Sequence, residues 1–183
     1  MTVNSFALVS YLSGPLAVFL DEVRHDFAPA SRAKAHITIL PPRPLRPSHG
    51  PADQQAAWCE LQNHMRDIAP FYVELGEVEV FPETQAIYIS IRSGLQELER
   101  LHDRLNVGRL AFEEPYPYHP HVTVAQELPP EDVTAAAQFA RWRWSECQHP
   151  RGFLLERLTF VQNTPENCWT DLDAMDLTSQ ALR

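Results

Sequence analysis

The sequence predicts a duplicated, two-lobed fold of mixed strands and helices, and three observations carry that prediction. The tetrapeptide His36-Ile37-Thr38-Ile39 returns as His121-Val122-Thr123-Val124, 85 residues further on. Shifting the chain by about that offset brings the apolar stretch from Val3 to Leu12 alongside the alternating run Ala86-Ile87-Tyr88-Ile89-Ser90-Ile91. In each half the order strand, helix, His-x-Thr strand, helix, strand then follows, as an internal duplication would leave it, and no short solenoid period is present.

The elements follow in order. After the Val3–Leu12 strand, Leu16, Phe19, Leu20, Val23 and Phe27 recur at helical spacing, and the first His-x-Thr strand comes next. Pro41-Pro42-Arg43-Pro44-Leu45-Arg46-Pro47, continued by His49-Gly50-Pro51, reads as a stiff extended loop leaving that strand, because proline fixes φ and favours polyproline II. It either ends the strand and spaces the next helix or presents Arg43 and Arg46 as a rim. Trp58, Leu61, Met65 and Ile68 predict a helix over about 52–69, followed by a strand over about 71–81. Residues 81–85, too short for a free linker, join the halves. In the second half the 86–91 strand precedes a helix with Leu95, Leu98, Leu101 and Leu105, with Leu110 beyond it. The second His-x-Thr strand, a helix over about 130–144 with Val133, Ala137, Phe139 and Ala140, and a strand over about 153–162 complete it. The expected domain is one unit over 1–183, with lobe one at about 1–82 and lobe two at about 83–183. A pseudo-twofold axis between them would bring the two His-x-Thr strands face to face.

Composition sets the class. At 183 residues and 44% hydrophobic content the chain can bury a sizeable core. Cys59, Cys147 and Cys168 are odd in number and widely spaced, which argues against a disulfide framework or zinc knuckle and for a reducing compartment. The N-terminus lacks a basic n-region and is interrupted by Gly14-Pro15, so a cleaved signal peptide is not expected, and no run reaches the ~18 apolar residues of a membrane span. The expectation is a cytoplasmic protein, monomeric, with no membrane partner. A net charge of −9 opposes capture of long duplex nucleic acid. Yet Phe27 to Ala52 contains no Asp or Glu and carries Arg32, Lys34, Arg43 and Arg46, Lys34 being the chain's only lysine. The first His-x-Thr lies inside this stretch, which suits a small or terminal phosphate better than a duplex.

The motif itself carries chemistry. In a strand, residues i and i+2 share a face, so each His sits beside its Thr while Ile37, Ile39, Val122 and Val124 point to the opposite side. Of 8 histidines only these two are followed by x-Thr, where roughly 0.4 such triplets would arise by chance, so the pair is a signal. Two imidazoles flanking one phosphorus can remove a proton from the nucleophile and deliver one to the leaving oxygen, because histidine titrates near pH ~6.5. Thr38 and Thr123 hydroxyls would donate to nonbridging oxygens as charge develops. Which imidazole is acid and which is base stays open.

These paired motifs, with Tyr118-His119-Pro120-His121-Val122-Thr123-Val124-Ala125 and the duplicated order, resemble the two-histidine (2H) phosphoesterase superfamily. The resemblance points to its bacterial 2′-5′ RNA ligase-like and cyclic phosphodiesterase-like branch, and to a subgroup of short phosphoesterases. It covers nearly the whole chain, including closing strands near 153–162 and 169–177. It implies an α+β bilobal fold with two antiparallel sheets flanked by helices around a central cleft. It also implies catalysis by His36 and His121, phosphate binding by Thr38 and Thr123, and a metal-independent reaction without cofactor on 2′,3′-cyclic phosphates or 2′-5′-linked nucleotides and RNA ends. Pro41-Pro42 departs from the family's usual continuation after the first motif.

Further candidates surround this set. Lys34, Arg43, Arg46, His119 and Tyr118 are candidate substrate-binding residues, and Tyr116, Phe112 and Trp169 candidate stacking platforms. Trp142 and Trp144, alternating with Arg141 and Arg143, read as an RNA-contacting patch or the end of an amphipathic helix. Two other readings stand beside the enzyme: a module that binds a phosphorylated nucleotide or RNA end in the same cleft without turnover, and a metal-dependent hydrolase built on His36, His119 and His121.

Overall fold

A computed structural model describes residues 5–46, 54–163 and 169–178. Its elements are β1 (Phe6–Tyr11), α1 (Gly14–Phe27), β2 (His36–Arg43), α2 (Gln54–Met65), β3 (Phe71–Val80), β4 (Ile87–Ser93) and α3 (Leu95–Leu105). A 3-10 turn (Gly108–Leu110), β5 (Val122–Ala125), α4 (Val133–Ser145), β6 (Gly152–Leu155), β7 (Arg157–Asn163) and β8 (Trp169–Asp176) follow. Cys59 and Cys147 are free thiols. Pro47, His49-Gly50-Pro51 and Cys168 lie outside the described residues.

The fold is α+β, and the strands pair antiparallel in the order β6-β3-β4-β5-β2-β1-β7-β8. The two expected antiparallel sheets are its two four-stranded halves, joined where β2 meets β5 at the single rung Ile37↔Val122. A pseudo-twofold through that rung exchanges β2 with β5, β1 with β4, β3 with β7 and β6 with β8.

The contiguous division at residue 82 is corrected by this topology. β3, from the first half of the sequence, pairs with β4, while β7, from the second half, pairs with β1. The helices cross over as well: α1 packs under β5 and α3 under β2. Each lobe therefore contains segments of both sequence halves. Residues 81–85 form the β3–β4 hairpin turn, closed by Phe81 N–H to Ala86 O (3.0 Å), with Gln85 at φ 57.

Two element boundaries also differ from the sequence reading. The strand expected over 153–162 is two strands broken at Glu156, because the chain leaves one half of the sheet as β6 and enters the other as β7. The proline loop is absorbed into β2, which continues through Pro41 and Pro42 to Arg43. Proline cannot donate to a ladder, and a register shift between Phe6 and Leu8 of β1 accommodates the pair.

The helices cover one face of the sheet. Leu16, Leu20 and Val23 of α1, Trp58 and Leu61 of α2, Leu98, Leu101 and Leu105 of α3, and Ala137, Ala140 and Trp144 of α4 are buried there. They meet Ile37, Ile39, Val122 and Val124 of the motif strands in one cluster. Trp58 stacks on Phe160 at 5.9 Å, and the Trp144 indole N–H donates to Gly76 O at 2.9 Å. The opposite face is left for the site.

Candidate active site

The alternation read from the sequence sets the geometry. Ile37, Ile39, Val122 and Val124 are buried in the core, while His36, Thr38, His121 and Thr123 are half-buried on the other face. With Ile37 opposite Val122, the antiparallel register puts His36 across from Thr123 and Thr38 across from His121. Each imidazole thus sits beside its own Thr along the strand and beside the other motif's Thr across the rung.

Both rings are held the same way. His36 Nδ1 lies 2.7 Å from Lys34 O, and His121 Nδ1 lies 2.7 Å from His119 O. A carbonyl only accepts, so each Nδ1 carries the proton and each neutral ring presents a bare Nε2. Burial lowers the pKa of both histidines: His36 is lowered further by the Arg24 guanidinium and by His121, and His121 by His119. The backbone hydrogen bonds act in the opposite direction.

Both strands are bulged just after the threonine. The β1 register passes from Thr38 to Leu40 and skips Ile39, and the β4 register passes from Thr123 to Ala125 and skips Val124. Bulges bend strands and terminate pairing, so the two strands part after one rung. Backbone groups released at such a break need partners. The Thr38 carbonyl accepts from the Tyr118 hydroxyl at 2.9 Å, the Thr123 carbonyl accepts from Arg24 Nη1, and the Ile39 carbonyl takes His102 Nδ1 at 2.8 Å. His102 in turn stacks on Tyr118 at 4.0 Å.

The walls are unlike. On the His121 side, Phe81 stacks on Tyr88 at 3.9 Å, and His119 and His121 meet the Phe81 ring edge-on at 5.3 and 4.9 Å. On the His36 side, Tyr11 meets His36 edge-on at 6.1 Å, donates to Asp171 at 2.6 Å, and carries the Lys34 ammonium 5.8 Å above its ring.

Lys34 and His119, the residues two before each histidine, are therefore at the cleft. Arg43 is not. Its side chain is wholly buried on the core face, paired with Glu114 and donating to Asn106 Oδ1 (2.6 Å) and Leu110 O (3.0 Å). It is a structural residue, because a guanidinium in that setting is already saturated. Arg46 lies farther along: at ~3.3 Å per strand residue even Arg43 is about 23 Å beyond His36. Its N–H bonds Arg109 O (2.8 Å), so it also stands apart from the histidines. Tyr118 faces the seam with its hydroxyl committed to Thr38. Tyr116 and Trp169 are exposed, and the Arg43 guanidinium lies 5.7 Å over Phe112.

Arg24, Tyr11, Phe81 and Tyr88 were not singled out as site residues. Tyr88 had a signal, since it alternates with Ile87 and Ile89 and so shares a face with Thr123. Arg24 and Tyr11 had none, because only the fold brings α1 and β1 to the motifs. Among the described residues no three His, Cys, Asp or Glu side chains gather as metal ligands, and no helix is long and apolar enough to cross a membrane.

A two-lobed antiparallel sheet with a His and a Thr from each half at its seam defines a class, and comparison with known proteins identifies it. The family model of the 2′-5′ RNA ligase superfamily matches residues 12–166, and the chain belongs to that superfamily. A candidate phosphoesterase of Oceanobacillus iheyensis is 29% identical over 120 residues, covering 62% of this chain and 69% of that protein. One of Geobacillus sp. strain WCH70 is 30% identical over 122 residues with the same coverage. The crystal structure of a Thermus thermophilus protein, TT0787, is similar in fold at TM-score 0.66 and 18% identity, covering 97% of this chain and all of that one. That of Escherichia coli LigT in complex with ATP is similar at TM-score 0.64 and 15% identity, with the same coverage.

Proposed function

We propose that this phosphoesterase of the 2′-5′ RNA ligase superfamily acts, without a metal, on 2′,3′-cyclic phosphates or 2′-5′-linked nucleotides and RNA ends by general acid–base catalysis from His36 and His121. The observation that carries the reading is the matched pair of imidazoles, each with Nδ1 tied to the carbonyl two residues back and Nε2 bare, flanked diagonally by Thr38 and Thr123.

In hydrolysis of a cyclic phosphate, one neutral imidazole takes a proton from water as its oxygen attacks phosphorus, and the other, protonated, gives its proton to the departing ribose oxygen. The Nδ1–H···O=C bonds stabilise whichever ring is charged. Thr38 and Thr123 hydroxyls donate to the nonbridging oxygens, where the phosphorane-like transition state gathers charge. Cleavage of a 2′-5′ linkage uses the same pair, one imidazole taking the proton of the neighbouring 3′-hydroxyl as it attacks phosphorus and the other protonating the departing 5′-oxygen; ligation is the reverse of that cleavage, with the two imidazoles exchanging roles. Lys34 at the cleft mouth adds positive potential for the incoming phosphate. LigT, which shares the fold, has been crystallised with phosphate, 3′-AMP, ATP and NADP+, which supports a small nucleotide ligand.

The test is hydrolysis of 2′,3′-cyclic nucleotides and a 2′-5′ dinucleotide in EDTA by wild type, His36→Ala and His121→Ala. Each acid or base contributes about 10² to 10⁴-fold, so both variants should fall to near background. Binding without turnover in the wild type would favour the non-catalytic module, and activity abolished by EDTA would overturn the metal-free mechanism.

A further inference from the structure

We infer that a hollow beside His36 seats the nucleoside on that side of the scissile phosphodiester. The inference rests on the phosphoesterase reading above and adds to it a specificity subsite.

The hollow, about 350 Å³, is lined by Tyr11, Arg157, Thr159, Asp171, Leu172 and Ala174 among others. Its position follows from register. Thr38 pairs with Val9, Val9 with Thr159, and Thr159 with Ala174, so one row of the sheet runs from the phosphate-binding threonine straight to the hollow on the same face. Adjacent strands lie ~4.8 Å apart, which puts Thr159 about 10 Å from Thr38, within reach of a nucleoside whose phosphate lies at the histidines. Tyr11, whose ring edge meets His36, separates the two places.

Shape and chemistry agree with this occupant. Thr159 and Ala174 are the small side chains that leave the space, and Tyr11 offers an aromatic wall. The Tyr11–Asp171 hydrogen bond fixes that wall and leaves carboxylate lone pairs toward the hollow. The carboxylates of Asp171 and Asp173 accept from donors, the ribose hydroxyls and exocyclic amines of a nucleoside, while the Arg157 guanidinium, ion-paired with Asp176 at 2.6 Å, offers donors to base carbonyls. The pseudo-symmetric place in the other lobe is filled: the row Thr123–Tyr88–Glu79 carries a buried tyrosine, stacked on Phe81 and donating to Glu79 at 3.1 Å. Among the described residues, room for a nucleoside is thus found on the His36 side alone, where Val9 stands at the position Tyr88 holds in the other lobe, and this gives an otherwise symmetric site a direction.

The test compares a 2′-5′-linked adenosine dinucleotide with glycerol 1,2-cyclic phosphate, which has no nucleoside. Ala174→Phe fills the hollow from the edge strand β8, away from both motifs. The expected result is a KM for the dinucleotide raised about tenfold or more, with kcat/KM for the glycerol ester unchanged. Asp171→Asn, which keeps the volume, should change the preference between adenosine- and uridine-containing dinucleotides. An unchanged dinucleotide KM in Ala174→Phe, or equal losses on both substrates, would overturn the subsite. A wild type that turns over the glycerol ester but not the dinucleotide would also overturn it. A wild type inactive on both would overturn the underlying phosphoesterase reading itself.

Discussion

The Tyr118 hydroxyl donates to the Thr38 carbonyl at 2.9 Å, linking the approach to the second motif with the backbone of the first across 80 residues of sequence. Only one ladder rung joins the two motif strands, so this bond helps set how far they splay and therefore how the two imidazoles are spaced. Tyr118→Phe keeps the ring stacked on His102 and removes only that bond. The expected outcome is a kcat reduced by about tenfold to a hundredfold with KM little changed, since displacements near 1 Å are felt at that scale. Unfolding in urea should show a loss of about 1–3 kcal/mol for the orphaned carbonyl. A loss of stability with kcat intact would mean that Tyr118 supports the fold and does not position the site.

Arg43 and Glu114 make a different case, a charge pair buried away from the histidines, whose carboxylate also lies 3.5 Å from His102 Nε2. Removing one partner of a buried pair leaves an uncompensated charge, so Glu114→Ala should cost about 3–5 kcal/mol in chemical denaturation. The double variant Arg43→Leu/Glu114→Leu should recover part of that loss. KM of the folded double variant should be unchanged, since Arg43 does not reach the cleft, and a selective rise in KM would return Arg43 to the substrate.

The contrast between these residues shows what was legible in the sequence. His36, Thr38, His121 and Thr123 were readable because period-two alternation is a local rule: Ile37 and Val122 had to be buried, and the polar neighbours then had to share the other face. Arg43 was misread because its stretch lacks acidic residues, whereas its partner Glu114 lies 71 residues away in sequence. The exchange of β3 and β7 was equally hidden. Within 153–162 the charged pair Glu156-Arg157 interrupts the apolar run, but that interruption alone does not say that the two pieces join different halves of the sheet. Arg24 carried no motif at all, since only the passage of α1 beneath β5 brings it to Thr123.

Arg24 acts on His36 through charge as well as through its bond to Thr123 O. A cation nearby disfavours the imidazolium, so replacing it should raise the His36 pKa. Arg24→Gln retains an N–H donor for the carbonyl and removes the charge. The kcat/KM profile against pH is expected to move its His-dependent limb toward higher pH, and Arg24→Lys should leave the limb near the wild-type position. An unmoved limb in Arg24→Gln would separate Arg24 from the titration of the pair.

Stability should carry the same signature in the free protein. Burial lowers the pKa of both His36 and His121 below the ~6.5 of an unfolded chain, so between those values the unfolded state holds more protons. Stability then rises with pH through this window: the contribution of the neutral rings is complete above about pH 6.5 and is lost as pH falls through the folded values. Urea midpoints measured from pH 5 to 7.5 should therefore climb in the wild type, and the climb should flatten in His36→Gln/His121→Gln, which cannot take up protons. The flattening should appear at the acidic end, where the double variant should be the more stable protein. An equal slope in both proteins would show that the two imidazoles are not held neutral by burial at the seam.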